Sequence, residues 1–74
     1  MSDLNLSFIG WDSWDRPVYK DENDQLFKDI DPRKDKPPNI CTTESFDAEP
    51  DFPVEVIERY KNVSIKFSPS RMTW

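Results

Sequence analysis

Asp51-Phe52-Pro53-Val54-Glu55-Val56-Ile57-Glu58-Arg59-Tyr60-Lys61-Asn62 is the stretch that decides the fold class, because the rest of the chain reads as strands and turns. Asp51 is a residue type that caps a helix start, Pro53 suits a first helical turn, and Glu55 suits the positive end of the helix dipole. Val54, Ile57 and Tyr60, joined by Val56, make an apolar stripe at helical spacing. Asn62 fits the left-handed residue that closes a helix. About eight residues do not hold a helix alone, so this reading requires a sheet beneath the stripe.

The sheet is legible on both sides of that segment. Downstream, Val63, Ile65 and Phe67 alternate with Ser64, Lys66 and Ser68, and Pro69 ends the run; upstream, Leu4, Leu6 and Phe8 alternate with Asn5 and Ser7. Period-two alternation marks strands with one buried face. The only glycine, Gly10, follows the first of these strands and signals a bulge or a close backbone approach. Asp12 to Asp15 reads as a turn, Arg16 to Lys20 as a second strand with Pro17 at its edge or start, Asp21 to Asp24 as a hairpin turn, and Leu26 to Ile30 as a third strand. Asp31 to Asn39, with Pro32, Pro37 and Pro38, is a loop; Ile40 to Thr43 is a brief strand, and Glu44 to Asp51 is loop again. The expectation is an α+β domain: a small, mostly antiparallel sheet, a meander of three strands plus one or two more, with one short helix on one face. A single domain is expected over residues 1–74, with 69–74 as a flexible tail.

With 74 residues there is room for one core. One cysteine, Cys41, excludes an internal disulfide, and the absence of histidine excludes a Cys/His zinc site. Aromatic packing is the remaining way to stabilise so short a chain. Phe8, Trp11, Trp14, Tyr19, Phe27, Phe46, Phe52, Tyr60, Phe67 and Trp74 are therefore read first as core.

The same inventory argues against catalysis. Cys41 has no histidine to activate it, one glycine makes no phosphate-cradling loop, and the acids fall mostly in turns, where they stay solvated. The Asp21 to Asp24 turn lacks the central glycine and the distant glutamate of a calcium loop. Neither an enzyme nor a cofactor or metal protein is expected. Fifteen acids against ten bases give a net charge of −5, and Asp35 interrupts the basic run of Arg33, Lys34 and Lys36, so nucleic acid is not an expected partner. The N-terminus has no signal-peptide pattern, no stretch approaches membrane-span length, and the lone thiol suits a reducing compartment; the cytoplasm is the expected location, and Met72-Thr73-Trp74 reads as a natural end rather than a tag.

What remains is binding to another protein. Gly10-Trp11-Asp12-Ser13-Trp14-Asp15-Arg16-Pro17-Val18-Tyr19 concentrates rings around a turn, and Trp14 with Tyr19 is one candidate surface. It is slightly similar to the first two strands of a WW domain, but the longer inter-strand loop, doubled tyrosine, histidine and second tryptophan of that family are missing. The acidic loop carrying Glu44, Asp47, Glu49 and Asp51 is the other candidate. Arg16-Pro17-Val18-Tyr19, Leu26-Phe27-Lys28-Asp29, Cys41-Thr42-Thr43 and Phe46-Asp47-Ala48-Glu49-Pro50-Asp51-Phe52-Pro53-Val54-Glu55 together resemble small α+β proteins of phages and conjugative elements of Gram-positive bacteria, some of them accessory modules of large polyvalent proteins. The resemblance spans roughly Gly10 to Val63 and implies a setting in a mobile element, without an activity or a functional residue. The expected function is a small acidic protein-interaction module, monomeric or weakly self-associating. The alternatives are a nucleic-acid mimic that inhibits a DNA-binding protein, and an oligomerising subunit that uses the Val63 to Phe67 edge and Trp74.

Overall fold

The computed structural model describes residues 3–74 as a six-stranded mixed sheet. Its strands are β1 (Asp3–Trp11), β2 (Pro17–Lys20), β3 (Leu26–Asp29), β4 (Ile40–Thr43), β5 (Pro50–Pro53) and β6 (Ser64–Ser68), in the order β5-β4-β3-β2-β1-β6. All neighbours are antiparallel except β1 and β6, which run parallel.

The expected helix is absent, and the fold is β-dominated rather than α+β. Val54–Val56 and Glu58–Tyr60 form two 3-10 turns, separated by Ile57 at φ −95° and ψ 121°. Asp51 caps nothing; it lies in β5, and Pro53 at the first turn makes no side-chain cap. Two physical reasons oppose the helix. Val54, Val56 and Ile57 are β-branched and lose rotamer freedom against a helical turn. The topology also sets a distance, because residues 54–63 must connect the two opposite edges of the sheet. Five inter-strand spacings of about 4.8 Å make roughly 24 Å across a flat sheet, whereas a helix of these residues spans only about 15 Å. Curling shortens the path, but extended residues between tight turns remain the conformation that reaches. Asn62 adopts the left-handed conformation, φ 65°, as expected of it, although it closes a turn and not a helix.

Pairing and alternation divide the side chains between two faces. Leu4, Leu6, Phe8, Tyr19, Phe27 and Ile40 point to the front, together with Ile65 and Phe67 of β6. Tyr60 of the crossing segment packs its ring on Phe27 at 5.6 Å, and Tyr19 lies between Phe8 at 5.9 Å and Phe67 at 5.1 Å. Val18, Lys28 and Cys41 point to the back. Of the ten rings read as core, Tyr19 and Phe27 are fully buried and Phe8, Tyr60 and Phe67 pack around them, while Trp11, Trp14, Phe46, Phe52 and Trp74 are exposed.

One carboxylate staples each of the first three connections. Asp12 Oδ1 accepts from the backbone N–H groups of Trp14 and Arg16, both at 2.9 Å; Asp21 Oδ1 does the same for Asn23 and Gln25 at 2.9 Å. Both turns place a fourth residue at positive φ, Asp15 at 60° and Asp24 at 64°, which Asp tolerates better than most residues. Asp29 Oδ1 accepts from Asp31 and Asn39 at 3.1 Å and so closes the longer β3–β4 loop at its base.

The glycine signal corresponds to a bulge. Register slips between Phe8, opposite Tyr19, and Gly10, opposite Val18. Without the extra residue, Gly10 and Asp12 would share the front face with Phe8; with it, they face the back with Val18 and Lys28. Gly10 has φ 149°, and a Cβ there would come within 2.9 Å of the Phe46 ring. Gly10→Ala is therefore expected to lower stability by about 2 kcal/mol through backbone strain and displacement of Phe46. Urea unfolding checks this: the midpoint falls with an unchanged slope, and a shift below about 0.5 kcal/mol would show that the bulge does not need glycine.

Candidate functional site

The β1–β2 turn, Trp11 to Arg16, gathers parts of the chain that are distant in sequence. Asp12 is its centre. Lys28, with no solvent exposure, donates from Nζ to Asp12 Oδ2 at 2.8 Å, and Arg16 donates from Nε to the same oxygen at 3.0 Å. Lys28 Nζ also donates to the Ala48 carbonyl, which draws the β4–β5 loop over the back of the sheet. Burial alone would raise the Asp12 pKa. The Lys28 ammonium, the amides of Arg16 and Trp14 and the Arg16 guanidinium outweigh that and bring it to about 2.

Around this buried charge lies an exposed aromatic rim. Trp14 is 57 % exposed, and the Arg16 guanidinium lies 5.1 Å from its ring centre. Trp11, at the end of β1, is 39 % exposed and meets Phe8 edge-on at 5.9 Å. Trp74 is 61 % exposed and donates from its indole nitrogen to the Asp15 carbonyl at 2.7 Å. All three tryptophans thus stand at one end of the sheet, each fixed by a contact of its own. Asp47 fastens the β4–β5 loop to the same turn, accepting from Ser13 N at 2.9 Å and from Ser13 Oγ at 2.7 Å. The Ser13 hydroxyl and amide hold the Asp47 carboxyl below the usual carboxylate range.

The residues singled out from the sequence divide. Trp14 and Asp47 meet at this turn through Ser13. Tyr19 does not join them: it is fully buried on the front face, its hydroxyl accepts from Met72 N at 3.0 Å, and burial pushes its pKa up. Trp14 and Tyr19 therefore do not share a surface, contrary to the expectation from the sequence. Glu44 and Asp51 line a shallow groove at the other end of the sheet, beside Lys20, Asp24 and Arg59. Glu49 is exposed in the β4–β5 loop. Trp11 and Trp74 were not assigned to this surface from sequence. A tryptophan three residues before Trp14 was a usable signal for the first, whereas Trp74 comes from 59 positions beyond Asp15 and carries none.

Burial pushes the Cys41 thiol up, which keeps it protonated and a poor nucleophile. Among the described residues, no group of three or more Asp, Glu or Cys side chains is placed to hold a metal ion, and no helix is long and apolar enough to cross a membrane. Comparison with protein-family models, with curated proteins and with solved structures finds no match to this chain.

The folded Asp12 carboxyl titrates near 2 against an ordinary 3.8, so it stabilises the fold fully above about pH 4 and loses that contribution as pH falls towards 2. The expected loss is about 2 kcal/mol over that window. Lys28→Met, which removes the chief group lowering this pKa, is expected to flatten the dependence. Urea unfolding at pH 2 to 6 checks both statements; equal pH slopes in the two proteins would separate Asp12 from acid sensitivity.

Proposed function

We propose that this chain is a small acidic protein-interaction module that engages its partner with the Trp11, Trp14 and Trp74 end of the sheet. The observation that carries this reading is three tryptophans, each more than a third exposed, fixed at one turn instead of packed in a core that is short of apolar residues. Tryptophan is enriched at binding hot spots because a rigid ring buries much area at little entropic cost, and clustered exposed rings mark interaction surfaces. Ser13–Asp47 supplies an exposed polar contact beside these rings, and the buried Asp12–Arg16 pair holds the turn beneath them. A setting as an accessory protein of a phage or conjugative element, in the cytoplasm, is part of the same proposal.

Mimicry of nucleic acid draws less support, because acids and bases alternate on the surface, as in Arg33–Asp31, Lys20–Asp24 and Lys61–Glu58. Self-association is favoured by one specific observation. Among the described residues β6 pairs only with β1, and it has no proline between Ser64 and Ser68, whereas the opposite edge, β5, begins and ends with proline. An open edge of this kind is a template for another strand. Light scattering distinguishes the readings: self-association gives a dimer whose mass is insensitive to Trp14→Ala.

For the leading reading, Trp14→Ala in the folded protein is expected to weaken capture of the partner at least tenfold at physiological salt, a loss typical of a central aromatic anchor. Glu44→Lys, at the other end of the sheet, is expected to leave capture intact. Affinity enrichment from cells of a host carrying such an element, with the two variants in parallel, reads this out. A partner lost with Glu44→Lys and retained with Trp14→Ala would overturn the assignment of the surface.

A further inference from the structure

Residues 69–74 follow β6 without regular structure, yet polar contacts hold them at five points. Arg71 donates from Nη1 to the Lys36 carbonyl at 2.7 Å and from Nη2 to the Arg33 carbonyl at 3.0 Å. Its Nε faces the Asp29 carboxylate at 3.6 Å. Met72 N donates to the Tyr19 hydroxyl at 3.0 Å, Trp74 N to the Pro32 carbonyl at 3.0 Å, and the Trp74 indole to the Asp15 carbonyl at 2.7 Å. The receiving groups come from β2, from the end of β3, from the β3–β4 loop and from the β1–β2 turn. The segment is thus received as a bound peptide would be, with an arginine anchor, two main-chain donors and a tryptophan three positions on.

The arginine anchor is incomplete. Asp29 has no solvent exposure, and among the described residues neither its Oδ2 nor the buried Arg71 Nε has a hydrogen-bond partner. At 3.6 Å the two atoms lie beyond hydrogen-bond distance, so desolvation of both is not fully offset. A segment held this way opens more readily than the strands beneath it. Asp29 itself stays in place when the segment leaves, because its other oxygen staples the β3–β4 loop through Asp31 and Asn39. The receiving groups are therefore preformed.

We propose that the set of receiving groups on Asp15, Tyr19, Asp29, Pro32, Arg33 and Lys36 is a binding site for an Arg-Xaa-Xaa-Trp segment, filled in cis by residues 71–74 and open to the same motif from another chain. It does not rest on partner binding through Trp14: when residues 71–74 leave, Trp74 leaves the aromatic rim with them, and Trp11 and Trp14 stay in place. The tethered segment competes at an effective concentration on the order of millimolar, so a segment in trans enters when the tether is weakened or when the partner contributes further contacts.

The test uses the full chain carrying Arg71→Ala and Trp74→Ala, and as probe the synthetic peptide Ser-Pro-Ser-Arg-Met-Thr-Trp, which reproduces residues 68–74. Saturable binding is expected, with amide shifts at Tyr19, Asp31 and Asn39, and a peptide with alanine in place of arginine is expected to bind at least tenfold more weakly. No saturation at millimolar peptide by a variant that keeps the dispersed amide spectrum of a folded sheet, or equal binding of both peptides, overturns the proposal. Should the variant not fold, hydrogen exchange on the unaltered protein decides. The Met72 and Trp74 amides are expected to exchange at least tenfold faster than those of Leu6 and Phe27, and equal protection overturns the proposal.

Discussion

A lysine with no solvent exposure sets the terms for the back of this sheet. The Lys28 ammonium needs a counter-charge, because a buried cation left alone costs on the order of 3–5 kcal/mol. Asp12 supplies it at 2.8 Å and reaches that face only because the bulge after Phe8 shifts β1 by one residue. The bulge places Gly10 where a side chain would strike Phe46. Phe46 in turn belongs to the loop whose Ala48 carbonyl accepts the second Lys28 hydrogen bond. Glycine, bulge, ion pair and loop therefore depend on one another, and a change at any of them is transmitted to the rest. Arg16 extends the circuit outward, with Nε on Asp12 and its guanidinium against Trp14, so the same buried charge also fixes the most exposed ring of the turn.

Where side-chain alternation is governed by burial on one face, the sequence could be read directly. β1 as far as Phe8 and β6 throughout alternate cleanly, and the two Asp-centred turns carry residues that bond their own backbone. The recurrence of that turn, Asp12 to Arg16 and Asp21 to Gln25, was present as an Asp-Xaa-Xaa-Asp spacing, but it acts as a repeat only because both first carboxylates receive the same pair of amides. The segment from Val54 to Tyr60 was misread for a different reason. Its stripe, acidic first turn and proline are local helix signals, whereas its conformation is set by the distance between two sheet edges that only the completed topology defines. β5 was hidden by its prolines, which are compatible with an edge strand and equally with a loop.

The candidate site was legible to a similar degree and for related reasons. Trp14 stood out because a tryptophan in a turn has few places to bury itself. Tyr19, five residues on, has the opposite fate, since β2 turns it to the front between Phe8 and Phe67. The acidic loop was read as one surface, yet Asp47 reaches the β1–β2 turn while Glu44 and Asp51 line the groove at the far end. Composition locates acids but not the direction a loop takes, and here Lys28 and Ser13 set that direction. The buried pair itself had no sequence signature, since a lysine inside a strand is ordinarily solvated.

With no disulfide or Cys/His zinc site available to it, the chain covers both faces of its sheet with its own connections. The β4–β5 loop crosses the back, while residues 54–63 and 69–74 lie against the front. Two of these three coverings end on the same turn, the loop through Asp47 to Ser13 and the last residues through Trp74 to Asp15. The β1–β2 turn is therefore more constrained than a hairpin tip of its length would be alone. In the proposed interaction, rings held in this way would lose little freedom on binding, and more of their contact energy would appear as affinity.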